Sequence, residues 1–211
     1  MYPVSFEIAG PNAMFTDPAS GSTPCSYPAP TWAALKGIFE TVAYDSGAYL
    51  RPTHVEICCP VRFERFTTNY GGPLRKGEQI KNDNNLQLVA TILVDVCYRV
   101  YGIAEALDTA SDGINHTHKL QEMFCRRLTK GLLRGRHTPA LGWKEFIPTY
   151  FGPLREESQA DTSVNFMLPS MLKSPFDSPV RGRFGPIYLT DVQVENGVLY
   201  YDSKQGGQNA G

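Results

Sequence analysis

The chain has 211 residues, of which 42% are hydrophobic and 19% charged, a composition typical of an ordinary globular protein that is long enough to bury a core. Its formal net charge of −1 argues against nonspecific nucleic-acid binding, because that normally requires a clear cationic excess. The 5 cysteines lack metal-like spacing, and their odd number favours reduced thiols over a disulfide framework. Since no apolar stretch is long enough to cross a bilayer and the N-terminus has no signal-peptide pattern, we expect a cytoplasmic protein without membrane partners.

The first predicted elements are a strand and a helix. Val4, Phe6 and Ile8 alternate with smaller or polar residues, which predicts a strand with one buried face. Residues 10–30 are rich in Pro, Gly, Ser and Thr and are interpreted as an ordered loop. Thr31 is then well placed to cap a helix. The helix positions expected to face the core are Leu35, Ile38, Phe39 and Val42.

Two strands separated by a polar segment follow. The first is predicted from Thr53 to about Phe66 and the second from Leu86 to Tyr101, because both are rich in β-branched and apolar residues. The segment from about 67 to 85 is polar and is interpreted as a protruding hairpin arm whose cations would reach a phosphate backbone.

The remaining elements are a second helix, a short strand and a hairpin. The helix is predicted from Lys119 to Gly131, with a strand around Leu141 to Phe146 after it. Asn196-Gly197, between two alternating segments, is the strongest short hairpin signal in the chain. The inward positions of the second helix are expected to be Leu120, Met123, Phe124 and Leu128.

The order strand, helix, strand, then strand, helix, strand predicts an α+β fold with a ferredoxin-like (RRM-like, RAMP-type) unit. We expect residues 1–146 to form this unit as an RNA-binding domain, with the arm of about 67–85 inserted in it. Residues 147–202 would then form a small C-terminal β extension that contains the hairpin, and the Gly-, Gln- and Asn-rich residues 203–211 a disordered tail.

Charge is distributed unevenly along the chain. Between Lys119 and Glu145 the chain carries 7 Lys and Arg residues against 2 Glu residues, which gives this segment a clear positive excess. Such a stripe is compatible with phosphate binding or simply with a solvated helix face.

Several segments, in the same order and spacing, resemble the CRISPR-associated Cas-five family in its type I-C (Dvulg) branch. They cover most of the chain from Val4 to Tyr201, and residues 67–85 and 147–186 match poorly. No single motif is specific for the family, whereas the order of the motifs is. The matching segments include Ala13-Met14-Phe15-Thr16, Pro30 to Glu40, Cys59 to Phe63, Lys119 with Met123 to Arg127, Leu141 to Phe146, and Val194 to Leu199.

This resemblance implies a subunit of the Cascade interference complex in antiviral defence, which binds the 5′ handle of the CRISPR RNA and caps the complex backbone. Its partners would be CRISPR RNA, the backbone and large subunits of a type I Cascade, and target DNA through the complex. In the type I-C branch the subunit also cuts precursor CRISPR RNA (pre-crRNA) without a metal or other cofactor, by attack of a ribose 2′-hydroxyl that leaves a 2′,3′-cyclic phosphate. The alternative is a catalytically inactive RNA-binding subunit that relies on a separate processing nuclease.

The resemblance also points to candidate catalytic residues, with two departures. Family members that cut place Lys-His before the apolar-Phe-x-Arg-Arg run, and a Tyr or His after the first helix. Lys119 matches the lysine, but Leu120 stands at the histidine position and Ala43 at the Tyr/His position. The nearest substitutes are His118, His116 and Tyr44, and the catalytic candidates are therefore Lys119, His118 and Tyr44.

Cations and aromatic residues in the matching segments are the candidates for RNA binding. Tyr27 and Trp32 would stack on bases or pack the loop onto the sheet, and Lys36 would bind RNA or remain an exposed helix lysine. Because no spaced cysteine or carboxylate partner accompanies His116 and His118, no metal site is predicted. The full set of RNA-binding candidates is Lys36, Tyr27, Trp32, Arg62, Arg126, Arg127 and Lys130.

Overall fold

The computed structural model describes residues 2–70, 86–107, 114–133, 138–180 and 183–201. Within these ranges the fold consists of two helices and eight strands, together with a 3-10 turn at Pro18–Ser20. The helices are α1 (Trp32–Val42) and α2 (His116–Thr129). The strands are β1 (Tyr2–Ala13), β2 (Ala48–Ile57), β3 (Phe63–Tyr70), β4 (Leu86–Ala106), β5 (Tyr150–Gly152), β6 (Phe166–Val180), β7 (Arg183–Glu195) and β8 (Val198–Tyr200).

The strands form one sheet in the order β5-β1-β4-β2-β8-β7-β6, and β3 pairs with β4 beside this row. All pairings between the named strands are antiparallel. With two helices packed on a mostly antiparallel sheet, the chain has an α+β fold, as expected from the sequence. Within the described part of the chain, neither helix is both long and apolar enough to cross a membrane.

Strand β4 is 21 residues long and has two differently paired halves. Its first half pairs with β3 from Tyr70↔Leu86 to Phe63↔Leu93. Its second half lies between β1 and β2 and runs on to Ala106, five residues beyond the predicted end. Residues 71–85, which contain most of the predicted arm, lie outside the described residues.

The helices cover one face of the sheet. Alternation in β1 points Val4, Phe6 and Ile8 into the core, and all three are buried as predicted. The Phe6 ring packs against Phe39 of α1, with 5.0 Å between ring centroids, and against Phe124 of α2, at 6.4 Å. The core therefore lies between the sheet and the two helices.

Both helices begin at a capping side chain. The Thr31 hydroxyl accepts a hydrogen bond from the Ala34 amide, and the Asn115 side chain accepts one from the His118 amide. The buried face of α1 is the predicted one. Helix α2 begins three residues earlier than predicted because Asn115 provides the cap, and this adds His116 to its buried positions beside Leu120, Phe124 and Leu128.

Two predicted strands differ from the structure. The segment from Thr53 to Phe66 is divided into β2 and β3, with Pro60, which has no amide to donate, in the break between them. Residues 141–146 form a tight loop instead of a strand, because the Leu141 amide donates to the Phe146 carbonyl and Gly142 has a φ of +88°. Strand β5 follows this loop and pairs with the edge of β1.

The Asn196-Gly197 hairpin is confirmed. Val194↔Leu199 and Glu195↔Val198 pair across it, and the two turn residues have φ of +51° and +77°. Positive φ at both central residues is the requirement of a type I′ turn. Through this turn, β8 connects the β6–β7 hairpin to β2.

The face of the sheet away from the helices carries a buried carboxylate. Glu7, which alternates with the core residues of β1, has no exposed surface. It accepts hydrogen bonds from the Arg155 amide at 2.9 Å, from Arg155 Nε at 2.6 Å and from the Ser158 hydroxyl. The loop that follows β5 is thereby attached to the middle of β1.

Candidate functional site

The strongest concentration of buried charge near the predicted catalytic residues lies where the α1–β2 turn meets the first turn of α2. Asp45 from the turn is hydrogen-bonded to His116 Nδ1, and its Oδ2 lies 2.7 Å from Lys119 Nζ. Asp45 and His116 are buried, whereas the Lys119 side chain is 56% exposed. The lysine therefore lies between a buried carboxylate and solvent.

The charge on Asp45 is stabilised by its neighbours. Burial alone would raise the pKa of this carboxyl group, but hydrogen bonds from Lys119, the Gly47 amide and His116 lower the pKa to about 2. Asp45 Oδ1 accepts the Gly47 amide at 3.0 Å, and this contact closes the turn. The carboxylate is consequently ionised at neutral pH and fixed by donors on both of its oxygens.

Gly47 permits the close approach of the turn to His116. A Cβ atom at position 47 would lie 2.5 Å from Cγ of the imidazole ring. The ring therefore packs directly on the backbone of the turn, and Asp45 and His116 are held in place by packing as well as by their hydrogen bond.

His118 points in a different direction from His116. Its side chain is 51% exposed, and its Nε2 lies 3.5 Å from Oε1 of Glu122. Its ring is tilted against Tyr2, with 5.5 Å between centroids. An exposed imidazole beside Lys119 is available for proton transfer to a ligand.

The positions that depart from the family pattern are both buried. Leu120 is 1% exposed and Ala43 is 2% exposed, so that neither residue could present a functional group to a ligand in this chain. Tyr44, one residue after Ala43, is 50% exposed and directly precedes Asp45. The structure thus brings the α1–β2 turn that carries Tyr44 to the helix turn that carries His118 and Lys119.

Three of the predicted cations form a row along the exposed side of α2. Lys119, Arg126 and Lys130 are separated by seven and four residues, which places them on one helix face over about 16 Å. Lys119 and Arg126 line a shallow groove of about 610 Å³ together with Glu122, Met123 and Cys125. We call Lys119, Arg126 and Lys130 the cationic row.

Arg127 does not belong to this row. Its Nη1 donates to the Val42 carbonyl at 2.8 Å, at the last residue of α1, and its side chain is half-buried. Of the two adjacent arginines, Arg126 faces solvent and Arg127 joins the helices.

The other RNA-binding candidates lie on other elements. Lys36 pairs with Glu40 on α1 at 2.8 Å, and Arg62 pairs with Asp95 at 2.7 Å. Trp32 is half-buried, with Lys173 Nζ 5.6 Å from the centroid of its ring. The contacts of these three residues are thus with Glu40, Asp95 and Lys173 rather than with the Asp45 cluster.

Tyr27 packs into the core. It is 4% exposed, its hydroxyl accepts the Leu172 amide at 3.3 Å, and burial raises its pKa to about 12. Of the two alternatives for this residue, the structure therefore supports packing of the loop onto the sheet, and the buried ring offers no face to a base.

Asp45 was missed as a site residue. Its sequence context, Asp-Ser-Gly after a helix, is typical of a turn, and nothing in it indicates a contact with His116, 71 residues later. No group of three or more His, Cys, Asp and Glu side chains suited to hold a metal occurs within the described ranges.

Comparison with known proteins identifies the family. The model of the family described as CRISPR-associated protein (Cas_Cas5) matches residues 4–174. The chain is 29% identical over 167 residues to the CRISPR pre-crRNA endoribonuclease Cas5d of Thermus thermophilus, a match that covers 79% of this chain and 70% of that protein.

Two solved structures share the fold at low sequence identity. A crystal structure of a CRISPR-associated protein superposes with a TM-score of 0.70 and 21% identity, over 96% of this chain and 92% of that one. A chain of a CRISPR RNA-guided surveillance complex superposes with a TM-score of 0.53 and 14% identity, over 92% and 90%. Because the family model spans most of the chain, from Val4 in β1 to Ser174 in β6, the protein belongs to the CRISPR-associated Cas5 family.

Proposed function

We propose that this protein is a Cascade subunit that binds the 5′ handle of CRISPR RNA, caps the complex backbone and cuts pre-crRNA without a metal. Family membership supports a role in CRISPR defence, and the Thermus thermophilus relative is named as a pre-crRNA endoribonuclease. The fold it shares with a chain of an RNA-guided surveillance complex supports the role within Cascade.

The observation that carries this proposal is the cationic row next to the catalytic candidates. Lys119, Arg126 and Lys130 repeat along one exposed helix face on a protein whose formal net charge is −1. Successive cations at this spacing suit a phosphate backbone, since such contacts fix the position of a strand without reading its sequence. Lys119 belongs both to this row and to the catalytic set, and would hold the phosphate to be cut.

The cleavage step uses three side chains. His118 accepts the proton of the ribose 2′-hydroxyl, the 2′-oxygen attacks phosphorus, and the bond from phosphorus to the 5′-oxygen breaks. Tyr44 donates its hydroxyl proton to that oxygen, and the Lys119 ammonium group stabilises the additional negative charge on the phosphate. The products are a 2′,3′-cyclic phosphate and a 5′-hydroxyl.

A catalytically inactive RNA-binding subunit is the second candidate. It is favoured by one observation: Leu120, at the position where cutting family members have histidine, is buried. In that case the cationic row would hold the RNA while a separate nuclease processes it.

The architecture proposed from the sequence is a ferredoxin-like unit with a C-terminal β extension. The chain order of β1, α1, β2, β4, α2 and β5 supports the ferredoxin-like unit. The β6–β7 hairpin, which reaches the rest of the sheet through β8, supports an extension within residues 147–202.

The partners proposed for the protein are CRISPR RNA, the backbone and large subunits of a type I Cascade, and target DNA through the assembled complex. We expect it to act in the cytoplasm. This role involves no membrane.

The proposal is tested by incubating the purified protein with its own CRISPR repeat RNA in EDTA. We expect cleavage at one site, with a cyclic phosphate at one new end and a hydroxyl at the other, and loss of at least about 100-fold in rate in Lys119→Ala and His118→Ala. Lys173→Ala, which removes a lysine charge on β6, is the matched control and should cut normally. Tight binding without cleavage would support the inactive subunit, and absence of binding to the repeat would contradict both candidates.

A further inference from the structure

We infer that Asp45 is a positioning residue, which together with His116 holds the ammonium group of Lys119 at the point where the RNA phosphate is bound. The inference rests on the proposed function for its consequence in cleavage, and on the geometry of the α1–β2 turn for the contact itself. It gives a role to Asp45 and His116, two residues that are buried.

Asp45 is held in place by its other contacts and cannot move with the Lys119 side chain. The carboxylate is 4% exposed, and its Oδ1 accepts both the Gly47 amide, at 3.0 Å, and His116 Nδ1. The imidazole in turn packs on Gly47, where a Cβ would lie 2.5 Å from the ring. Asp45 Oδ2 is therefore a fixed acceptor at the end of a packed unit.

Lys119 is oriented by its contact with Asp45. A lysine side chain has four rotatable bonds and loses much of its rotamer entropy when it is fixed in place. Lys119 Nζ lies 2.7 Å from the fixed Oδ2 atom, so that one of its three N–H donors is directed inward. With 56% of the side chain exposed, the other donors remain accessible to a phosphate.

A positioning role of Asp45 differs from a plain charge effect in what it does to RNA affinity and to cleavage rate. Removing the Asp45 carboxylate takes a negative charge away from the RNA-binding surface, which favours RNA affinity. It also frees Lys119 to leave the geometry needed for cleavage, which lowers the rate, since a misplacement of about 1 Å costs on the order of 100-fold. We thus expect the cleavage rate to fall while RNA affinity stays the same or rises.

The experiment compares Asp45→Asn with Glu40→Gln. Both changes neutralise a carboxylate that pairs with a lysine, because Glu40 pairs with Lys36 at 2.8 Å on α1. We expect Asp45→Asn to lower the single-turnover cleavage rate at saturating protein by about 100-fold. Its dissociation constant for the repeat RNA should be unchanged or lower by fluorescence anisotropy, and Glu40→Gln should leave the cleavage rate unaltered. A parallel fall in rate and affinity, or an unchanged rate, would overturn the inference.

A second readout does not require cleavage. Reductive methylation with formaldehyde and cyanoborohydride reports the availability of each lysine amine, and mass spectrometry of peptides separates Lys119 from Lys130 at the other end of α2. Loss of the carboxylate should increase the Lys119 methylation rate about fivefold relative to Lys130. If the wild-type protein binds RNA but does not cut it, only the proposed catalysis fails. An unchanged methylation ratio is then the result that contradicts a fixed position of Lys119 on Asp45.

Substitutions of His116 test how Lys119 is held without changing Asp45, should Asp45→Asn not fold. His116→Asn retains an N–H donor close to the position of Nδ1, whereas His116→Leu removes it. We expect His116→Asn to retain cleavage and Lys119 protection within about threefold, and His116→Leu to lose both while its circular dichroism spectrum stays native. Equal behaviour of the two variants would show that His116 contributes only packing.

Discussion

Asp45 and Glu7 are both buried carboxylates that pair with a basic side chain, but they lie in different parts of the molecule. Glu7 is in the middle of β1 on the face away from the helices, and Arg155 binds it through its amide, Nε and Nη2. The Arg155 guanidinium also lies 4.0 Å from the centroid of the Tyr150 ring. Asp45 lies at the end of α1, and its basic partner is a lysine that is mostly exposed.

The difference lies in the donors that remain for a ligand. Ser158 and Arg155 come from the same short loop, so the Glu7 cluster fixes that loop to the sheet. Nε and Nη2 of Arg155 are both directed at Glu7, and 34% of its side chain is exposed. The Asp45 cluster fixes a single amine and leaves part of it in solvent. Of the two cations, Lys119 therefore leaves more of its side chain available to a ligand than Arg155 does.

The largest effect that would test this comparison is on stability. Arg155→Ala leaves the Glu7 carboxylate buried without its main partner, which should lower the free energy of unfolding by about 3 kcal/mol. Urea denaturation measures this loss, and RNA affinity should stay within about twofold. Glu157→Gln is the control, because its side chain is 73% exposed and 3.8 Å from Arg155. A loss below about 1 kcal/mol would contradict a structural role for the Glu7–Arg155 pair.

A second effect is on acid stability. The pKa of Asp45 is about 2, below its ordinary 3.8, so the folded state binds this proton less tightly than the unfolded state. The resulting stabilisation of about 2 kcal/mol is present above about pH 4 and is lost as the pH falls towards about 2. Unfolding free energies of the wild type and Asp45→Asn should converge over that range.

Glu7 contributes in the same direction in both proteins. Burial alone would raise its pKa, but hydrogen bonds from Ser158 and Arg155 lower the pKa below its usual value. The difference between wild type and Asp45→Asn isolates the Asp45 contribution because Glu7 is present in both. If the unfolding free energies of the two proteins instead change in parallel with pH, Asp45 is not the source of the stability that is lost in acid.

The smallest effect is on the salt dependence of RNA binding. Lys119→Ala should reduce the slope of log affinity against log salt concentration by about 0.7, the value for one phosphate contact on a single strand. Arg155→Lys should leave the slope unchanged, since that cation faces Glu7. Titrations at several salt concentrations distinguish the two, and equal slopes for wild type and Lys119→Ala would exclude Lys119 from the RNA-binding surface.

Much of the fold could be predicted because local patterns agree with the tertiary contacts. The spacing of Leu35, Ile38, Phe39 and Val42 predicts the buried face of α1, and Asn196-Gly197 predicts its turn from backbone preferences alone. The loop at 141–146 was wrongly predicted as a strand because its shape depends on Gly142 and on a contact of Leu141 with Met14. A contact of that kind is not encoded in the local pattern.

The candidate site was predictable only in part. Lys119 and His118 follow from the family resemblance together with their place at the start of a helix. The partner of Lys119 does not, because Asp45 is separated from it by the whole of β2, β3 and β4, and its local sequence predicts only a turn. Burial of Leu120 and exposure of His118 likewise depend on how α2 packs on the sheet.

The two halves of β4 have a consequence for hydrogen exchange. Between Tyr98 and Ala104, β4 is paired with β1 on one edge and β2 on the other, whereas near Leu86 it is paired with β3. Amide protons in the first region should exchange only upon global unfolding, and those near Leu86 by local opening. Protection along this single strand should therefore rise from its start into its second half. RNA that reaches the β3–β4 end would slow exchange there, while the Tyr98–Ala104 amides would report only the overall gain in stability.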